Sequence, residues 1–515
     1  MSSPAQALLD ALHRLDQPFS VVREPDGVLR PVPGPPGAAP GAIAFAPALP
    51  PAALGDPTFL ETYGVRAAYA TGAMANGIAS EAIVIAMARA GLLGFFGAAG
   101  LPTARIAAAI DRVHAAVGGL PTGWNLIHSP ADPRQEQETV DLYLARGVRI
   151  VDAAAYLALT PQVVQYRATG VHRDPSGAIV APNRLIAKIS REETAERFLR
   201  PPPAALLERL VREGRITAGE AALAAQIPMA DDLTCEADSG GHTDNRPLMV
   251  LLPTVAALAR RVSASLGDRA ATRVGAAGGI ATPESVAAAF QLGAAYVMTG
   301  TINQACVEAG TSDLVKRMLA DVSMVDVAMA PASDMFEAGV TVQVLQRGTL
   351  FPQRGRLLYT LWRTYPSWEA IPAADRAKVE SQIFRASFAE IWSRCETYFR
   401  DRDPSQLDRA AREPKHQLAL VCRWYLGMAS RWAIDGEATR AQDLQVWCGP
   451  AMGAFNAWTR DTFLAEPSAR QVDVVAANLL TGAAALTRAA GLRLQGVDLG
   501  PAAFTWVPRP LRSAL

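Results

Sequence analysis

RVGAAGGIATPESVAAAFQLGAAYVMTGT, residues 273–301, decides the fold. A short apolar run ends in Gly278-Gly279, a helical pattern opens at Thr282-Pro283, and a second apolar run ends in Met298-Thr299-Gly300-Thr301. Two buried strands joined by one helix make a βαβ unit, which requires a parallel sheet. Thr before Pro is an N-cap and first-turn signal, so this helix starts just beyond the first strand.

The same alternation extends outward over about 66–310. Strand candidates are RAAYATGAM (66–74), LLGFFGAA (92–99), GWNLIHS (123–129), VRIVDAA (148–154), RLIAKIS (184–190) and DDLTCEA (231–237), with RVGAAGG (273–279) and AAYVMTG (294–300). Helical patterns at 79–90, 132–147 and 282–293 lie between them. Eight such units suit an α/β (β/α)8 TIM barrel; an open doubly wound sheet is the alternative. The reading divides the chain into a leader and Pro-rich connector (1–60), a barrel (61–345) with a helical insertion at 200–228, and a mostly helical C-terminal subdomain (346–515). Nine prolines in 31–58 predict an irregular connector there. The helix preceding it, about 3–16, reads equally as a loose leader or a docking element. Half of the 34 aromatics fall in 351–463, and Phe384, Phe388, Trp392, Cys395 and Phe399 have the spacing of one buried helical stripe.

Composition narrows the function class. Lys+Arg and Asp+Glu both total 49, so the basic excess of a nucleic-acid binder is missing. Five scattered cysteines include no CxxC and make no disulfide framework. The opening residues have no basic region followed by an apolar core, and the most apolar run, 90–102, is too short to cross a bilayer. A cytoplasmic protein, off the membrane, is the expectation.

Active sites of this barrel class sit at the C-terminal strand ends, with phosphate often held after strands seven and eight. Gly278 and Gly279 let backbone amides approach an anion beside a helix N-terminus, and Gly300 adds another amide. Strand six runs into Glu236-Ala237-Asp238-Ser239-Gly240-Gly241-His242, which puts an imidazole on a loop at the mouth. Lys188, one of only four lysines, lies inside an apolar strand and needs either a barrel carboxylate or a ligand anion. Asn125 could face a flat heterocycle, and Met74-Ala75-Asn76-Gly77 would let a planar ring lie against the backbone.

Several of these stretches carry a resemblance. AYATGAMANGIASEAIVIAMARAGLLGFFGAAGL, GWNLIHSP, EADSGGHTDN and AAGGIATPESVAAAFQLGAAYVMTGT resemble the FMN-dependent nitronate monooxygenase and enoyl reductase superfamily of TIM barrels. MAPASDMFEAGVTVQVLQRGTLFPQRGRLLYTLWRTYPSWEAIP, RWYLGMASRWA and VWCGPAMGAFNAW are similar to its PfaD-like subgroup, enoyl reductases acting in trans on polyunsaturated fatty acid synthases and trans-acyltransferase polyketide synthases. The resemblance implies that Met74, Ala75, Asn76, Gly97, Asn125 and Lys188 contact the FMN ring and ribityl chain. It implies likewise that Gly240, Gly241, Gly278, Gly279, Met298, Thr299, Gly300 and Thr301 surround the tail and phosphate. The superfamily's EAGGH appears here as EADSGGH, so the equivalence of Glu236 is weaker than that of His242.

The implied reaction is NADPH- or NADH-driven reduction of a 2-enoyl thioester on an acyl carrier protein, with His242 as proton donor or oxyanion partner. Carrier proteins are typically acidic. The stretch from Val340 to Trp368 holds Arg347, Arg354, Arg356 and Arg363 and no acid, so Arg354 and Arg356 are docking candidates, against packing and solvated-face alternatives. A nitronate monooxygenase and a non-catalytic megasynthase component are the rival readings. No metal is implied, and a homodimer stays open.

Overall fold

The computed structural model describes residues 3–129, 133–267 and 271–511, so Asp132, which opens the 132–147 pattern, lies outside the described residues. The chain forms two compact units. One holds the described residues up to 238 together with 244–310 and 457 onward; the other holds 239–243 and 311–456. These limits differ from 61–345 and 346–515. The chain leaves the barrel at 311 rather than 346, and its last long helix returns to the barrel unit.

Eight strands close a parallel barrel in chain order: β1 Tyr69–Thr71, β2 Leu93–Phe96, β3 Gly123–Ile127, β4 Ile150–Ala154, β5 Arg184–Ile189, β6 Asp232–Glu236, β7 Arg273–Ala277 and β8 Val297–Thr299. Each lies inside its predicted segment, and closure rules out the open sheet. The predicted helices are present as Glu81–Arg89, Pro133–Ala145 and Pro283–Gln291, and the insertion forms Ala204–Arg212 and Ala218–Ala224. Alternate residues point inward. Ala70, Leu93, Phe95, Ile150, Ile186, Tyr296 and Met298 make the dry interior, which the helix Pro57–Tyr63 closes at the N-terminal end. There Phe59 stacks on Tyr296 at 4.4 Å, and the Tyr63 hydroxyl donates to Asp232, itself paired with Arg273 at 2.6 Å.

The Pro-rich connector is not irregular throughout. Leu29–Pro33 and Ala42–Ala46 flank Phe19–Arg23 in an antiparallel sheet. Both neighbours occupy edges, and in Leu29–Pro33, which carries Pro31 and Pro33, half of the amides face no partner strand, so proline removes nothing from the ladder. The helix Pro4–His13 and this sheet dock on Val472–Leu494, sharing a core of Leu8, Leu12, Phe19, Val21, Ala489 and Leu492. Arg488, only 3% exposed, donates to the carbonyls of Leu12 (2.9 Å), Arg14 (2.9 Å) and Gln17 (2.8 Å), capping the first helix from outside it. Near the other end, Trp506 meets the His13 ring edge-on at 5.3 Å, and Arg509 lies 3.1 Å from His13 Nδ1.

Val472–Leu494 and Leu248–Ser265 are both long and apolar enough to cross a membrane by length and composition. The first is a core helix: 72% of its apolar window is buried, and Gly482 lets it close on Pro283 and Trp506.

The second unit contains β9 Val327–Pro331 and β10 Thr341–Leu345, extended by Gly241–His242 on the free edge of β10. The helices Phe351–Thr364, Phe388–Arg402 and Pro414–Asp435 bury Phe351, Trp368, Phe384, Phe388, Cys395 and Tyr425. Within the predicted aromatic stripe, Phe384 belongs to the preceding π-turn. Arg385 at φ 55° separates that turn from a helix that Ser387 caps afresh.

Under the second unit's helices lies one buried carboxylate. Asp443 has no exposed surface and is met by Arg354, by Arg440 at 3.3 Å, by Arg385 at 3.4 Å and by the Tyr425 hydroxyl at 2.8 Å. Arg354 is 13% exposed and its charge is engaged in this cluster, which favours the packing alternative for it. Arg347 pairs with Asp326 at 3.5 Å. Of the arginine-only stretch, Arg356 and Arg363 stay at the surface.

Candidate functional site

The top of the barrel brings most of the predicted cofactor residues together. The loop after β1 is stitched to the loop after β2: Asn76 N–H donates to Ala99 O (2.7 Å), Gly77 N–H to Gly97 O (2.9 Å) and Gly97 N–H to Ala79 O (2.9 Å). A Cβ on Gly97 would fall 1.7 Å from the Met74 carbonyl oxygen, so only glycine permits this approach. Met74, Ala75 and Asn76 are left half-buried along the seam, Asn76 at φ 59°, a left-handed conformation that asparagine tolerates.

Below the seam the interior turns polar. Asn125 on β3 donates to the Asp152 carbonyl at 3.1 Å. Lys188 on β5 pairs with Glu236 on β6, a barrel carboxylate, at 2.7 Å. Burial opposes the Lys188 charge, but Glu236 and Asp152 outweigh it and hold the ammonium above its ordinary range. Asp152 on β4 completes the set and was missed in the sequence. It carried the signal used for Lys188, a charge inside an apolar strand.

At the β7 end, Gly278 (φ 82°) and Gly279 (φ 73°) both need the left-handed region, and a Cβ on Gly278 would lie 2.6 Å from the Ala237 carbonyl carbon. The helix beyond uses part of its own N-terminus. Ser285 Oγ accepts from the amides of Ala281 (2.9 Å) and Thr282 (3.0 Å), while Thr282 Oγ1 accepts from Ser285. The amides of Gly278, Gly279 and Ile280 make no hydrogen bond to another described residue, so an anion here would meet the glycine loop rather than the capped helix turn. After β8, the Thr299 hydroxyl is committed to Tyr69 at 2.7 Å and to Asn303, and Met298 is buried. Gly300 and Thr301 remain as the half-buried residues of that loop.

Gly240, Gly241 and His242 belong to the second unit rather than to the barrel. A Cβ on Gly240 would lie 2.8 Å from Cys448 N, and Gly241 (φ 83°) pairs with Gln343. Within that unit, backbone crowding accounts for Gly240 and the left-handed conformation for Gly241. His242 is half exposed, and its Nε2 lies 3.3 Å from Asp334 Oδ1. Arg356 lies exposed on the helix Phe351–Thr364.

Comparison with known proteins places this architecture. The chain is similar to the enoyl reductase domain of MlnA, from the macrolactin biosynthesis cluster of Bacillus amyloliquefaciens: TM-score 0.83, 37% identity, covering 87% of this chain and 100% of that one. It is 47% identical over 465 residues to a polyunsaturated fatty acid synthase polypeptide of Thraustochytrium sp., covering 88% of this chain and 31% of that protein. It is 43% identical over 434 residues to the polyketide biosynthesis protein PksE of Bacillus subtilis, covering 84% and 56% respectively. This chain thus spans about a third to about a half of these two curated relatives. Residues 365–444 match the inserted helical domain of [acyl-carrier-protein] S-malonyltransferase. The chain belongs to the PfaD-like family, together with the enoyl reductase domain of MlnA.

Proposed function

We propose that this protein is an FMN-dependent enoyl reductase. It would reduce the 2,3 double bond of enoyl thioesters carried on an acyl carrier protein, using NADPH or NADH, in polyketide or polyunsaturated fatty acid synthesis in the cytoplasm. The observation that carries the reading is the likeness to the MlnA enoyl reductase domain over that domain's whole length. The residues at the barrel top fit the cofactor. A buried carboxylate with no side-chain hydrogen bond among the described residues, a lysine–glutamate pair and a glycine loop whose amides bond to no other described residue suit a polar ring system ending in a phosphate.

In this assignment Met74, Ala75, Asn76, Gly97, Asn125 and Lys188 hold the ring and ribityl chain, and Gly278, Gly279, Gly300 and Thr301 hold the phosphate end. FMN, when bound, supplies hydride chemistry that no side chain offers. The chain's own residues orient it, exclude water and manage protons. Conjugate reduction leaves negative charge on the thioester oxygen and requires a proton at Cα. His242, coupled to Asp334, is our assignment for that proton.

The test is direct. The purified full-length chain should be yellow, oxidise NADPH with a crotonyl thioester, and take up no oxygen with a nitroalkane. His242→Ala should lower thioester turnover by about 10²–10⁴-fold while leaving flavin reduction by NADPH intact. A fall of only a few-fold would remove His242 from that role, and a colourless protein would overturn the whole reading.

A further inference from the structure

Inside the barrel top, two carboxylates share one ammonium. Glu236 takes Lys188 at 2.7 Å. Asp152, one strand away, is fully buried, and neither of its oxygens has a hydrogen-bond partner among the described residues; the Ala73 amide lends it only a weak backbone interaction. The Asn125 side chain, its neighbour on β3, is spent on the Asp152 backbone carbonyl rather than on the carboxyl. A buried polar group without a partner costs about 1–3 kcal/mol, and such groups persist in folded proteins where they serve a ligand or a reaction.

We propose that Asp152 is a cofactor-binding residue. In its protonated form it donates a hydrogen bond to the flavin ring system over the barrel top. The proposal rests on the FMN reading above and adds a residue that neither the family resemblance nor the composition singled out. The charges around Asp152 agree with it. Burial pushes its carboxyl up to about 7; Lys188 on β5 pulls down, Glu236 on β6 pushes up, and the Ala73 amide pulls weakly down. Tyr296, on the run into β8, is the remaining titratable side chain coupled to it. With Lys188 already paired with Glu236, a second ionised carboxylate would leave the pocket with one net negative charge, and Asp152 itself with no proton to donate.

The experiment titrates FMN into flavin-free full-length protein and follows quenching of flavin fluorescence from about pH 6 to about pH 9. Wild-type affinity should fall with rising pH above the Asp152 midpoint, approaching tenfold per unit. Asp152→Asn keeps a neutral donor of the same shape. It should bind FMN within about threefold of wild type at low pH and lose the extra pH dependence, which also cancels titration of the ligand's own phosphate. Asp152→Ala, without a donor, should bind about tenfold more weakly at low pH. An Asp152→Asn profile that parallels wild type, or Asp152→Ala binding as tightly as wild type, would overturn this role while leaving the flavin reading intact. Wild-type protein that binds no FMN at any pH overturns both.

Discussion

Asp443 is the strongest single point of attack on the second unit. Three guanidiniums and a phenol converge on this fully buried carboxylate. Asp443→Asn keeps the shape and removes the charge, leaving Arg354 and Arg440, 13% and 12% exposed, with mutual repulsion and no counter-charge. Removing one partner of a buried ion pair costs about 3–5 kcal/mol. Arg385, at 37% exposure, reaches the same carboxylate from a wetter position, so Arg385→Met should cost less than about 1 kcal/mol. Six of the nine tryptophans lie between 311 and 456, so urea unfolding followed by tryptophan fluorescence reads mainly this unit. With a slope of about 2 kcal/mol per molar urea, the Asp443→Asn midpoint should fall by about 2 M and that of Arg385→Met by less than about 0.5 M. Equal costs for the two substitutions would refute the reasoning, as would an Asp443→Asn protein within about 1 kcal/mol of wild type.

Three further outcomes follow from the barrel unit. Gly278→Ala, with its Cβ 2.6 Å from the Ala237 backbone, should lower the thermal midpoint more than Gly279→Ala, which meets open space; both carry the left-handed cost of about 1–2 kcal/mol, read by calorimetry. Arg488→Met removes the donor that caps the first helix and should release the segment before residue 56 to limited proteolysis before the barrel itself is cut. Asp152 has a raised folded pKa, about 7 against 3.8, so its contribution to the stability of flavin-free protein should fall as pH rises from about 4 to about 7 and level off above that. Asp152→Asn should flatten that slope in urea titrations between about pH 4 and about pH 7.

The barrel was legible because each strand is short and largely apolar, several are closed off by glycine, and closure follows from eight such units in order. The N-terminal sheet was not. Its proline content reads as a breaker unless one knows that Leu29–Pro33 takes an edge. The glycine loop after β7 is plain in the sequence, but the helix behind it looks there as though its amides were free, and Ser285 occupies them, a contact that spacing alone does not reveal. Arg354 illustrates the wider limit. An arginine-only stretch looks cationic in one dimension, while its counter-charge, Asp443, lies 89 residues away along the chain. Lys188 and Asp152 carry the same signal, yet only the rarer residue type draws notice.

The clasp between His13 and the Trp506–Arg509 segment has a consequence for how this protein can be carried. A domain that is entered and left at one spot can be spliced into a longer polypeptide like a bead hung from a single point on a string. A polypeptide fused before residue 13 or after residue 509 would then pull on the clasp rather than across the barrel, and the barrel interior would be shielded from the movements of what is attached.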